Sequence, residues 1–141
     1  MNRNTFEVID HTADIGIVAW GKSLDEVFVH AAQGLFFIIA ENPCCQTPFE
    51  TPVAVIANDY EDLMVTWLNE LLYIFDVEQV FLCDFEIIEI GQYFLKARVR
   101  GEMFNSMEYQ VKHAVKACTY YEAKVEKMES KLWRTQVYFD I

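Results

Sequence analysis

Positive charge is what this chain has least of. Its 141 residues carry 11 Lys and Arg against 22 Asp and Glu, a formal net charge of −11. Direct RNA or DNA binding depends on Lys and Arg that neutralise phosphates and release counterions. With no basic run anywhere, the sequence argues against a broad phosphate-tracking surface. Cysteine is also sparse. Cys44, Cys45, Cys83 and Cys118 form no C-x-x-C pair, and the adjacent Cys44-Cys45 does not make an ordinary zinc knuckle. Free thiols of a reducing compartment are the plain reading, with a cytoplasmic location expected. The start "MNRNTFEVID" has no apolar core of a secretory signal. The most apolar run, "AAQGLFFIIA", falls short of the roughly 20 residues that a membrane span needs. There is no Gly-rich phosphate loop, no G-x-S-x-G elbow and no local signature around a catalytic Cys. His11, His30 and His113 have no partner at metal-ligand spacing, and no self-contained enzyme motif is present.

What is abundant is apolar bulk. Hydrophobic residues make up 53% of the chain, with 11 Phe, 7 Tyr and 3 Trp. That composition argues against disorder and supports one domain, residues 1–141, with a real core. The acidic balance suits a basic protein partner or a hard cation.

The pattern along the chain predicts an α+β fold: two main helices packed on a mostly antiparallel β-sheet. "FEVID" and "IGIVAWG" read as strands joined by the polar "DHTAD". Ser23, with Glu26 three residues on, forms a capping box, and Leu24, Val27, Phe28, Ala31, Leu35 and Ile38 follow at helical spacing. "ENPCCQTP" reads as a loop and "ETPVAVIAN" as a strand with Pro52 near its start or edge. Asp59 opens a second helix whose broad apolar face holds Met64, Trp67, Leu68, Leu71, Leu72 and Phe75, with Glu70 at its boundary. "VFLCDFEIIEIG" and "YFLKARVRGE" predict a hairpin, and Lys96, Arg98 and Arg100 give one face of its second strand a cationic character. "MFNSME" reads as a loop. Residues 109–129 alternate for most of their length and read as strand, although the run from Gln110 to Cys118 is short enough for a helix as well. "WRTQVYFDI" reads as a last strand. Its two faces hold Trp133, Thr135, Val137 and Phe139, and Arg134, Gln136, Tyr138 and Asp140.

Two stretches draw chemical interest. Asp10 and Asp14 flank His11 and Thr12 in a turn, where their oxygens serve either turn geometry or a site. At the other end, Asp140 lies one residue from the α-carboxylate of Ile141. Clustered carboxylates repel unless a proton or cation separates them, and Ca²⁺ or Mg²⁺ accepts such oxygens. A solvated chain end is the plain alternative, and nothing in the periodicity places Asp14 beside Asp140. Lys112 and Lys116 fit a solvated strand face.

Taken together, these segments resemble one family. "DHTADIGIVAWGKSLDEVF" resembles the opening of the archeases, whose hallmark is D-H-T-A-D-[IV]-G followed by W-G and a helix. "DLMVTWLNELLYIFD", "LKARVRGE", "VKACTYY" and the closing "YFDI" resemble their later segments, in the same order over nearly the whole chain. Tyr121 stands where the family often has His, and Cys118 where an aliphatic residue is common. The resemblance implies a small cytosolic accessory protein of the GTP-dependent tRNA-splicing RNA ligase. Such a protein is not itself an enzyme. It promotes guanylylation of the ligase and its multiple turnover in joining 2′,3′-cyclic or 3′-phosphate ends to 5′-hydroxyl ends. It implies a divalent cation, calcium first with magnesium or manganese as alternatives, on Asp14, Asp140 and Ile141. Lys116 matches a position linked to activation, and Asp10 and His11 belong to the same motif. An RNA helicase is a further candidate partner, and neither direct nucleic-acid binding nor a membrane is expected. The rival reading is a general chaperone or modulator of nucleic-acid-modifying proteins.

Overall fold

A computed structural model describes residues 5–10, 14–40, 48–103 and 111–141. The elements run β1 (Phe6–Asp10), β2 (Asp14–Gly21), α1 (Leu24–Ile39), β3 (Phe49–Ile56), α2 (Tyr60–Glu78), β4 (Val80–Ile90), β5 (Phe94–Met103), β6 (Ala117–Lys127) and β7 (Trp133–Asp140). This is the expected α+β architecture. The strands are shared between two antiparallel sheets, a four-stranded one in the order β1-β2-β7-β6 and a three-stranded one in the order β3-β5-β4. Among the described residues, no helix is long and apolar enough to cross a membrane.

Local chemistry starts both helices where the sequence places them. The Ser23 hydroxyl accepts the Glu26 N–H, and Glu26 Oε1 reaches back to the Lys22 N–H at 2.7 Å. These bonds satisfy donors that a helix start leaves without intrahelical partners. In α2 the Asp59 carboxylate accepts the Asp62 N–H at 2.8 Å, and Asp62 accepts the Asn58 N–H at 3.0 Å. Gln79 ends α2 in the left-handed region, with φ 57°. Helical spacing then turns Val27, Phe28, Ala31, Leu35 and Ile38 of α1, and Leu63, Met64, Trp67, Leu68 and Leu71 of α2, inward. The buried indole of Trp67 donates to the Phe28 carbonyl at 3.0 Å and ties the helices together. Without that acceptor the N–H would be left unsatisfied, at a cost of about 1–3 kcal/mol.

The core lies between the helices and the inner faces of both sheets. Ile15, Ile17, Ala19, Val137 and Phe139 line one, and Val53, Leu82, Phe85, Leu95, Ala97 and Val99 the other. Phe36 sits among Phe75, Phe81 and Phe85 at ring distances of 5.4–5.9 Å. Two of the three cations of the β5 stripe, Arg98 and Arg100, are ion-paired on the open face of the small sheet. Arg100 bonds Asp84 at 2.6 Å, Glu86 at 3.0 Å and Glu50 at 3.2 Å, while Arg98 bonds Glu50 at 2.9 Å. Exposed pairs of this kind add little stability each, but they leave that face little positive charge to offer a phosphate backbone.

The last third of the chain differs from the sequence pattern. Strand β6 covers Ala117–Lys127, and residues 111–116 are neither strand nor helix. The reason lies in β7. Its last rung pairs Asp140 with Ala117, and the ladder does not continue to the residues before Ala117. Their backbone groups go elsewhere. The Lys112 N–H donates to the Ile39 carbonyl at the end of α1 (2.7 Å), and the Lys116 N–H to the Asp140 carbonyl (2.8 Å). Residues 109 and 110, most of "MFNSME" and the Cys44-Cys45 loop lie outside the described residues.

Candidate functional site

Antiparallel pairing of β2 with β7 sets Asp14 directly opposite Asp140, on the last rung of the ladder. Ala117 of β6 flanks Asp140 on its other side, so three strands meet at one level. Directly paired residues share a face of the sheet, with Cβ atoms about 4.5–5.5 Å apart. The two carboxylates therefore stand side by side on the outer face, because their neighbours Ile15 and Phe139 point into the core. Asp140 is exposed, whereas the Oδ1 atom of Asp14 is shut off from solvent. Like charges opposite each other oppose the pairing that places them there, and a hard cation accepts carboxylate oxygens of this kind.

The other residues singled out in the sequence fall around this pair in different ways. Ile141 follows Asp140 directly and is half-exposed. Lys116 reaches the pair through its backbone, by the bond to the Asp140 carbonyl, and its side chain is exposed. Asp10 does not join the carboxylates. It pairs with Ile15, and strand alternation puts it on the core-side face, opposite to Asp14. His11 lies outside the described residues.

Gly16, the last residue of "DHTADIG", has a steric role that periodicity does not reveal. The ring of its cross-strand partner Tyr138 lies against it: a Cβ there would come within 2.7 Å of Tyr138 Cδ1 and 2.9 Å of the Val137 carbonyl oxygen. Tyr138 in turn packs on Tyr121, with ring centres 5.8 Å apart. Tyr121 is 60% exposed. Cys118 is buried, and burial pushes its thiol well above the usual range. It acts as a small core side chain rather than a nucleophile or ligand.

Another residue passed over in the sequence pattern is Asn69, half-buried on α2. Its side-chain NH₂ donates to the Cys118 carbonyl at 3.0 Å, and its Oδ1 accepts the Cys118 N–H at 2.8 Å. A polar residue between the apolar Leu68 and Leu71 was the available signal.

Among the described residues, no three His, Cys, Asp or Glu side chains gather as a metal cage. The donors that do meet are carboxylates, and an all-oxygen set suits Ca²⁺, Mg²⁺ or Mn²⁺ rather than Zn²⁺. Two side chains are fewer than the six to eight oxygens that Ca²⁺ takes, so a cation here would draw on the Ile141 carboxylate, water or a partner for the remainder.

The fold and site define a small α+β protein with a paired-carboxylate rung and no nucleophile–base pair among the residues described above. Sequence comparison makes the class specific: residues 6–141 match the Archease protein family (MTH1598/TM1083). A protein archease of Methanosarcina mazei is 36% identical over 140 residues, covering 96% of this chain and 95% of that relative. The solution structure of Methanobacterium thermoautotrophicum protein 1598 superposes with a TM-score of 0.82 at 29% identity, covering 98% of this chain and 99% of the other. The crystal structure of an archease, possible chaperone, from Thermotoga maritima shares the fold, with a TM-score of 0.66 at 22% identity and 94% of each chain covered. The chain belongs to the archease family, which consists of accessory proteins rather than enzymes.

Proposed function

We propose that this protein activates the GTP-dependent RNA ligase of tRNA splicing, in the cytoplasm, by promoting guanylylation of the ligase and so its repeated turnover. The observation that carries this reading is the Asp14–Asp140 rung, which brings together two of the residues that the family resemblance assigns to a divalent cation. On this reading, Asp14, Asp140 and the Ile141 carboxylate hold the ion, Ca²⁺ first and Mg²⁺ or Mn²⁺ as alternatives. When bound, the ion would supply positive charge for phosphate oxygens. Lys116, tied to the same rung, would face the partner, with His11 a further candidate for that contact. Asp10, on the other face, would take part through the partner rather than through the ion. A net charge of −11 favours a basic ligase surface over direct contact with tRNA. An RNA helicase could share that assembly.

The test is a multiple-turnover ligation assay with purified ligase, GTP and RNA ends carrying a 2′,3′-cyclic phosphate and a 5′-hydroxyl. Wild-type protein should stimulate guanylylation and turnover, and Asp14→Ala or Asp140→Ala should abolish the stimulation while leaving the fold intact. Full stimulation by both variants would refute the site assignment.

One observation favours a second reading, a general chaperone. At one end of the small sheet Ile56 is 81% exposed, with Tyr93 at 57% and Ile88 at 53%. If these side chains hold unfolded clients, the protein should suppress aggregation of unrelated proteins in EDTA and after Asp14→Ala alike. Ile56→Ser should reduce that effect.

A further inference from the structure

We propose that Asn69 is a positioning residue. From helix α2 it holds the start of β6, and with it Lys116 and the Asp140 rung, in the register that the candidate centre requires. The inference rests on the reading of that rung as the functional site, and on the way β6 is built.

At its site end, β6 has little to hold it. It is the outermost strand of its sheet. Three rungs pair it with β7 there: Ala117 with Asp140, Cys118 with Phe139, and Thr119 with Tyr138. Beyond Thr119 the ladder breaks, and pairing resumes at Lys124 opposite Gln136. Tyr120 to Ala123 thus stand against Val137 alone, and Glu122 takes a left-handed conformation at φ 50°. Before Ala117 the chain is irregular. A short ladder with a bulge on one side and no strand on the other has few bonds of its own to hold it, and a slip of one residue would swap the two faces.

Cys118 turns its N–H and C=O away from β7, to the side where another strand would stand. A primary amide is the side-chain group that offers one donor and one acceptor as a peptide does. Asn69 presents both to Cys118 and so takes the place of the missing strand. Other contacts from α2 fall past Thr119: Asp62 accepts the Tyr120 hydroxyl proton and Glu61 accepts the Val125 N–H. Asn69 therefore governs the segment that carries Lys116 to the Asp140 carbonyl.

The experiment compares Asn69→Leu, which keeps the bulk and loses both bonds, with Asn69→Asp, which keeps the shape and the acceptor but loses the donor. Glu61→Ala, at the far end of β6, serves as a control for general loosening. Amide hydrogen exchange at Lys116 and binding of Ca²⁺ alone are measured with the melting temperature of each full-length variant. Both Asn69 variants should speed Lys116 exchange on the order of tenfold or more. They should also weaken Ca²⁺ binding by on the order of tenfold, the size typical of losing a group that orients a metal ligand. Glu61→Ala should lower the melting temperature without either effect. Unchanged Lys116 exchange in both Asn69 variants, or equal effects of Glu61→Ala, would overturn the proposal. If wild-type protein does not bind Ca²⁺, the cation reading fails by itself, and Lys116 exchange alone decides the role of Asn69.

Discussion

The ring of Tyr138 rests on the backbone of Gly16, two rungs in from the Asp14–Asp140 rung. A methyl group at residue 16 would meet both the ring, at 2.7 Å, and the Val137 carbonyl oxygen, at 2.9 Å. The ring can swing aside, but the carbonyl belongs to the ladder. Gly16→Ala should therefore destabilise the protein by about 1–3 kcal/mol, the usual cost of overpacking. Denaturant unfolding measures this. Tyr138→Leu in the same chain should recover only part of the loss, because the carbonyl contact remains. A neutral Gly16→Ala would show that the ladder yields easily here and that the glycine is not required by packing.

The carboxylate pair makes a prediction of opposite sign. In EDTA, Asp140→Asn should raise stability slightly, by up to about 1 kcal/mol, because it removes a like charge from a directly opposed pair. In the wild-type protein, Ca²⁺ at a hundred times its dissociation constant should add about 2.7 kcal/mol. The variant should lose that increment. Thermal melts of both proteins in EDTA and in Ca²⁺ give all four values. A variant still stabilised by Ca²⁺ to the wild-type extent would place the ion elsewhere.

Asp62 and Tyr120 share a hydrogen bond of 2.6 Å that links α2 to the β6 bulge. The Tyr120 hydroxyl, followed by the Asn58 N–H, holds the Asp62 carboxyl below its usual range. The same bond to Asp62 pushes the Tyr120 phenol above its usual range, with burial adding to it. The lowered Asp62 contributes stability that is present above the ordinary Asp value, about 3.9, and fades as pH falls through the folded value. The raised Tyr120 contributes stability that is complete below about 10 and is lost as pH rises through its folded value. Tyr120→Phe should thus cost about 1 kcal/mol or less at neutral pH, since the bond is largely solvated. The gap from wild type should stay flat across the middle of the pH range and narrow at both ends. Urea unfolding at a series of pH values checks this, and a gap independent of pH would sink the assignment.

What could be read from the sequence was local. Ser23 and Asp59 mark helix starts because a side-chain oxygen three residues before an exposed N–H needs no distant partner. Alternation along "WRTQVYFDI" places Thr135, Val137 and Phe139 on the buried face, because strand geometry alternates faces whatever the strand pairs with. The family was legible too, since its motifs lie in order along the chain, and the match over residues 6–141 bears it out. Tertiary structure decided everything that depends on who stands opposite whom. Alternation in residues 111–116 resembles a strand, but the ladder with β7 stops at the Asp140–Ala117 rung, before these residues. Asp10 and Asp14 look equivalent in "DHTADIG", yet pairing turns them to opposite faces. Asn69 looks like a polar residue at the margin of a helix face until the bare edge of Cys118 is seen beside it. Propensity and capping act within a few residues, whereas register is set by the packing of both faces of a sheet against the rest of the chain. That is why Asp14 meets Asp140 only in the fold.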